Sequence, residues 1–251
     1  MRFEPTTFLE GIANRLAAPN FPSSASMAEA SSRALSATVP NFNASSPCER
    51  LLRLHEYEYE IFREIERKRL VGFLAEMAGP LAGLRESSRE KQGRICDDIS
   101  AAMKSMHQRR MSRAGRSLEI HAESILRQEG IPFVAQRAQR GGIPDILVPG
   151  PMPQATGEFP VMLAIKRTVR ERYRQEQGYE GIGRTYILTI DRDMSDGQLR
   201  QMHSFGFGLV VPEPILGLYP KGFGRGIGIP IVSFTEFIGK MAAELAVVAK
   251  Q

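Results

Sequence analysis

Cysteine is scarce in this chain: Cys48 and Cys96 are the only two among 251 residues. They stand far apart without metal-ligand spacing, which argues against a zinc site or a disulfide framework and for reduced thiols. Long apolar runs are missing too. No stretch reaches the ~18 residues needed to span a bilayer. The opening Met-Arg-Phe-Glu-Pro lacks the apolar centre of a signal peptide. A soluble, cytoplasmic protein with no membrane contact is expected. No internal repeat of fixed period is found, which argues against a solenoid. The glycine-rich run from Gly217 to Gly228 lacks the lysine-serine ending of a phosphate loop. It reads as a surface loop, and no nucleotide cofactor is expected.

What is present is ordinary in bulk. The apolar fraction is 42%, enough for a core, and 24% of residues are charged. The net charge of +5 and a pI near 9.4 are compatible with a nucleic-acid partner without being diagnostic of one. The length allows one large domain, or a domain of about 150–160 residues with an extra segment.

Residues 1–20 read as a short amphipathic helix through Phe8, Leu9, Ile12 and Leu16. Residues 19–47, rich in Ser, Ala, Pro and Asn, read as a loop. Helical spacing runs from Glu49 to about Met77 through Leu51, Leu54, Tyr57, Ile61 and Ile65, and Pro80 breaks it. This segment reads as core or dimer packing. A further helix is expected from about Glu90 to Arg109. The character changes near Met111, so residues 1–108 are set apart as a helical N-terminal region and 109–251 as a second, α/β unit. There a helix from Ser117 to Gln128, stopped by Gly130, precedes short β-prone runs at 131–135, 143–148, 160–165, 185–190, 207–211 and 230–233. Helices are expected between several of them, at about 169–182, 195–204 and 234–249. That order describes a mixed central sheet flanked by helices.

The stretch from Pro144 to Glu180 carries the chemistry. Asp145 follows Pro144 at the start of one apolar run, and Lys166 closes another (Phe159 to Ile165). Pro144 places the first strand's beginning there, or the strand near an edge. The intervening Pro149 to Gly157 can return the chain as a hairpin and bring Lys166 to Asp145. An aspartate and a lysine at adjacent strand ends, with Glu180 nearby, can build a Mg²⁺ site beside a cation, the minimum chemistry for cutting a phosphodiester. Burial after Leu-Ala-Ile lowers a lysine pKa, which suits orienting or deprotonating a water. Surrounding arginines point to nucleic acid. The plainer reading of each element alone is a turn aspartate, a strand-end lysine and a solvated helix glutamate.

These residues resemble the PD-(D/E)xK nuclease core, in the type II restriction endonuclease group that includes EcoRII, PspGI, SsoII and NgoMIV. That group has lost the second acid before the lysine and replaced it in space by a glutamate on the following helix. Here Ala164 holds the vacated place, Lys166 is the lysine, and Glu180 is the expected replacement, with Glu176 as the alternative. Asp145 and Glu180 would then hold Mg²⁺. Arg113-Ala-Gly-Arg-Ser-Leu-Glu-Ile-His121, Thr185 to Ile190, Ser195 to Met202 and Gly208 to Pro212 resemble further parts of the group, over about 110–240. The resemblance implies a restriction-endonuclease-like fold and a bacterial restriction-modification enzyme cutting double-stranded DNA.

It also implies how DNA is read. The acid-arginine pair after the lysine falls on Glu171 and Arg172, which would contact neighbouring C:G pairs. A carboxylate accepts from cytosine N4, and a guanidinium forks onto guanine O6 and N7. A palindromic target with a CCGG or CC-N-GG core follows, and with it a homodimer. Arg170 and Arg174 are assigned to phosphate. Arg110, Arg113 and Arg116 lie in a basic cluster ahead of the Ser117 helix, whose N-terminus would favour a phosphate, with Gly115 allowing close approach. Solvated surface is the alternative for both basic groups. Glu119 is either an additional site acid or a structural or recognition acid, and His121 is read as structural. Two competing functions remain: a repair or junction nuclease on the same core, and a DNA-binding module without catalysis.

Overall fold

Ser23 opens the first helix by accepting the Ser26 N–H on its side chain, a standard N-cap. In this computed structural model residues 22–82, 88–135, 145–148, 159–169, 182–219 and 231–248 are described. Helix α1 spans Ser24–Thr38 and buries Met27, Ala28, Ser31 and Leu35 along one stripe. This corrects the loop expected over 19–47. Serine-rich composition hid a capped, alanine-bearing helix with an apolar face. A single 3₁₀ turn, Phe42–Ala44, follows.

Helix α2 spans Pro47–Ala82, with Pro47 in its first turn and the Glu49 N–H capped by Ser46. Helix α3 spans Arg89–Gln128 without interruption. The two helices expected at 90–109 and 117–128 are therefore one, and the boundary drawn at 108/109 falls inside it. Gly115 and the surrounding arginines did not break it, because a single helical glycine costs only about 1 kcal/mol. The expected stop is where the sequence placed it. Gly130, at φ +70°, closes a Schellman motif in which Ile131 N–H bonds Leu126 and Gly130 N–H bonds Arg127.

Six strands follow: β1 Val134–Ala135, β2 Ile146–Val148, β3 Phe159–Ile165, β4 Ile182–Leu188, β5 Phe207–Val211 and β6 Ile231–Ser233. They lie in the sheet in chain order. β1, β2 and β3 run antiparallel; β3 to β6 run parallel. The sheet is mixed, as expected. Helix α4, Asp196–Ser204, starts at a capping box between Ser195 and Gln198. The short α5, Glu213–Leu216, precedes the last strand, and α6, Phe234–Val248, follows it.

Alternation along the strands sorts the core into two layers. Val161, Leu163 and Ile165 point with Leu188, Val210 and Val232 toward Leu118, Ala122, Ile125 and Leu126 of α3 and Phe234, Phe237 and Met241 of α6. Ala164, Ile187, Leu209 and Val211 face the other way, onto Leu199 and Met202 of α4. Beyond the core the long helices expose Val71, Leu74 and Met103. Among the described residues, no helix is long and apolar enough to cross a membrane.

Candidate active site

The β2–β3 register decides where Asp145 stands. Ile146 pairs with Leu163, and Leu147 with Met162. Continuing by one residue sets Asp145 across from Ala164, and Lys166 lies two residues further on the same face. The side chains meet. Lys166 Nζ donates to Asp145 Oδ2 at 2.9 Å, and the Ile165 N–H donates to the same oxygen at 2.7 Å. Both side chains are largely withdrawn from water, at 19% and 17% exposure. The lysine backbone is fixed as well, its N–H bonded to Leu188 O at 2.9 Å. The antiparallel pairing of β2 with β3 therefore brings Asp145 and Lys166 together, as expected, while the loop Pro149 to Gly157 lies outside the described residues.

Helix α3 brings Glu119 to the same place. Burial pushes its carboxyl above the usual carboxylate range. The hydrogen bond from Arg116 works against that, the Asp145 charge adds to it, and the Arg116 and Lys166 charges oppose it. Arg116 Nη1 sits 2.6 Å from Glu119 Oε2. Arg113 reaches elsewhere: it donates to Pro22 O at 2.7 Å and lies over the Phe62 ring. The basic cluster thus sits in the middle of α3. The helix N-terminus expected at Ser117 does not exist, and Arg113 and Arg116 are engaged within the chain. Arg110 also lies on α3, with its side chain outside the described residues. Pro144, Arg170, Glu171, Arg172, Arg174, Glu176 and Glu180 lie outside them too.

Sequence reasoning missed a contribution from α2. Tyr59 reaches the residue beside the lysine: Arg167 lies over its ring, 5.4 Å from the centre. The His55 imidazole is held down to about 4, chiefly by burial and further by the Arg167 and His121 charges. His121, 1% exposed, stands 2.7 Å from Glu58 Oε2, without the alignment of a directed hydrogen bond. His55, Glu58 and Tyr59 line a small cavity with Phe62, Arg113, Ala114 and Ser117. The signal was present as His55 and Glu58 on the apolar side of α2, but His121 and Arg167, whose charges they meet, are remote in sequence.

The donor set suits a hard divalent cation. Asp145 and Glu119 are carboxylates, and Mg²⁺ is commonly held by one or two carboxylates with water completing its shell. The two protein bonds to Asp145 fall on Oδ2, which leaves Oδ1 for a cation. Among the described residues no three acidic, histidine or cysteine side chains gather closely enough to form a metal cage.

Comparisons with known proteins identify the family and the fold. Residues 83–238 match the family model described as EcoRII C terminal. The type II restriction enzyme EcoRII of Escherichia coli is 31% identical over 186 residues, taking in 71% of this chain and 42% of that protein. The chain thus spans less than half the length of that relative. A solved structure of metal-depleted Ecl18kI in complex with uncleaved, modified DNA superposes with a TM-score of 0.76 at 19% identity, covering 100% of this chain and 87% of that one. The restriction endonuclease PspGI–substrate DNA complex gives a TM-score of 0.66 at 20% identity, covering 89% and 93%. The fold is that of the restriction endonucleases, and the chain belongs to the EcoRII C-terminal family.

Proposed function

We propose that this chain is a Mg²⁺-dependent type II restriction endonuclease that hydrolyses double-stranded DNA at a palindromic site with a CCGG or CC-N-GG core. The observation that carries the reading is the contact of Asp145 with Lys166 at neighbouring strand ends, with Glu119 alongside. Family membership and the DNA bound in the Ecl18kI and PspGI structures support the same reading.

Each residue then has a task. Asp145 and Glu180, with Glu176 as the other candidate, would hold Mg²⁺, and Glu119, which feels the Asp145 and Lys166 charges, is a further candidate acid. The bound metal supplies a more acidic water and charge stabilisation for the phosphate. Lys166, tethered by Asp145 and by its own backbone, orients the attacking water and steadies the charge that grows on the phosphate oxygens. Ala164, fully buried across from Asp145, provides no acid of its own, which is why a glutamate from another element is needed. Glu171 and Arg172 follow Lys166 closely enough in the chain to read the C:G pairs beside the scissile bond. A palindrome presents two equivalent strands, so two copies of the chain act together as a homodimer.

Incubating DNA of known sequence with the protein and Mg²⁺, then sequencing the new ends, tests the proposal. Discrete ends at one CC/GG-type palindrome are expected. Random nicking, or cutting only at junctions or damaged bases, would overturn it. Sedimentation on a DNA duplex carrying that site should give two chains per duplex.

A further inference from the structure

The backbone after Lys166 is irregular, yet several of its polar groups are bonded. Lys166 N–H pairs with Leu188 O, Arg167 O accepts the Thr189 hydroxyl at 3.2 Å, and Val169 N–H is taken by Asp191 Oδ2 at 2.9 Å. The end of β4 and the residues after it thus hold the segment after β3 at 166, 167 and 169. The gripping side is itself held. Thr189 N–H bonds Val210 O, and Thr189 Oγ1 also accepts from Asp191 N–H at 3.0 Å. Asp191 Oδ1 accepts from Asp193 N–H, and Asp191 O accepts from the buried Tyr219 hydroxyl at 2.8 Å. Thr189 and Val169 are both fully buried. Each bond satisfies a backbone group that a turn would otherwise leave without a partner, and a missing partner at a buried site is costly.

We propose that Thr189 and Asp191 are positioning residues that set the distance and direction between the cutting lysine and the reading pair Glu171 and Arg172. The inference rests on the base-reading assignment made under the proposed function. Val169 lies two residues before Glu171. Fixing its N–H therefore fixes where the reading segment departs from the lysine's strand. Neither Thr189 nor Asp191 touches DNA in this role; both act through the backbone of 167 and 169. A base pair read wrongly would then be felt at Lys166 through the held backbone of 167 and 169, so recognition and cleavage succeed or fail together.

The test compares cleavage of the cognate site with that of a site changed at one C:G pair, under single-turnover conditions with saturating enzyme. Asp191→Ala should lower the cognate-to-near-cognate rate ratio by about tenfold or more, within the range one bidentate base contact discriminates. Asp191→Asn keeps an acceptor for the Val169 N–H and should restore most of the ratio. Thr189→Val, close in shape but without the hydroxyl, should lower the ratio too, and it carries the test if Asp191→Ala fails to fold. Equal slowing at both sites would mean a merely structural role and overturn the proposal, as would an unchanged ratio in both Asp191→Ala and Thr189→Val. Arg172→Ala is run in parallel. If it leaves the ratio intact, the base-reading assignment falls and this inference with it. If it removes the ratio while the Asp191 and Thr189 variants keep it, only the positioning role falls.

Discussion

Asp145 Oδ2 serves two donors at once, the Lys166 ammonium at 2.9 Å and the Ile165 N–H at 2.7 Å. The aspartate therefore locks the end of its neighbouring strand as well as the lysine. Substitution separates the two jobs. Asp145→Asn keeps an acceptor for Ile165 N–H but loses the charge that a cation and Lys166 require. It should fold with near-normal stability and cut DNA at least about a thousandfold more slowly, on the scale seen when a charge-stabilising group is removed from an active site. Asp145→Ala should be equally inactive and also less stable, by about 1–3 kcal/mol for the unsatisfied N–H. Urea unfolding and cleavage assays on both variants measure the two effects. An active Asp145→Asn protein would remove this residue from the metal site.

Glu119 is surrounded by charges of the candidate site, and it is held by Arg116 at 2.6 Å. A structural acid and a metal-site acid differ in how they respond to Mg²⁺. With Glu119→Gln the Mg²⁺ concentration for half-maximal cleavage should rise about tenfold or more, the scale of losing a ligand's supporting partner. A slower reaction with an unchanged Mg²⁺ curve would assign Glu119 to structure alone.

Local signals in the sequence were read correctly where the physics is local. Gly130 stops α3 because only a residue at ease with φ +70° closes that turn. Ser195 starts α4 because it and Gln198 cap each other. Asp145 and Lys166 were paired because a short turn-rich link between two apolar runs makes a hairpin. The failures came where tertiary packing overrules composition. The serines of 23–36 concealed an apolar stripe through Met27 and Leu35. Gly115 among arginines looked like a boundary, yet Ala114, Ser117, Leu118 and His121 bury one continuous face there and carry the helix through. The charged groups of α2 looked solvated because those that meet His55 and Glu58 come from α3 and from the segment after β3.

The Arg172 assignment makes a prediction independent of the fold. Arg172→Ala should lower cognate cleavage by about 10- to 100-fold, as loss of a 1–3 kcal/mol bidentate contact implies. Its thermal unfolding should match that of the unsubstituted chain. Cleavage at an undiminished rate would sink the assignment.

Glu58 and His121 are 8% and 2% exposed, and they join α2 to α3 behind the site. Removing one member of such a pair leaves the other buried without compensation. Glu58→Ala should cost roughly 1–3 kcal/mol. Replacing both, Glu58→Leu with His121→Phe, should recover most of that loss, since a packed apolar pair is often no worse than a buried polar one. Denaturant unfolding of the three proteins reads this directly. A loss under about 1 kcal/mol in Glu58→Ala would show that the contact contributes little.

His55 gives the chain a definite acid sensitivity. Its imidazole is depressed from 6.5 to about 4, by burial first and then by the Arg167 and His121 charges. In the unfolded chain it protonates near 6.5. Between pH 6.5 and 4 the unfolded state therefore binds a proton that the folded state refuses, so stability falls as the pH falls through that window. The loss from this group reaches up to about 3 kcal/mol and ceases below about pH 4, where both states are protonated. His55→Gln removes the titration. Its unfolding free energy should decline less than that of the unsubstituted chain between pH 7 and 4, and the two should approach each other as the pH is lowered. Urea melts at pH 7, 5.5 and 4 measure both curves; parallel curves would mean that His55 takes up its proton equally well in the folded protein.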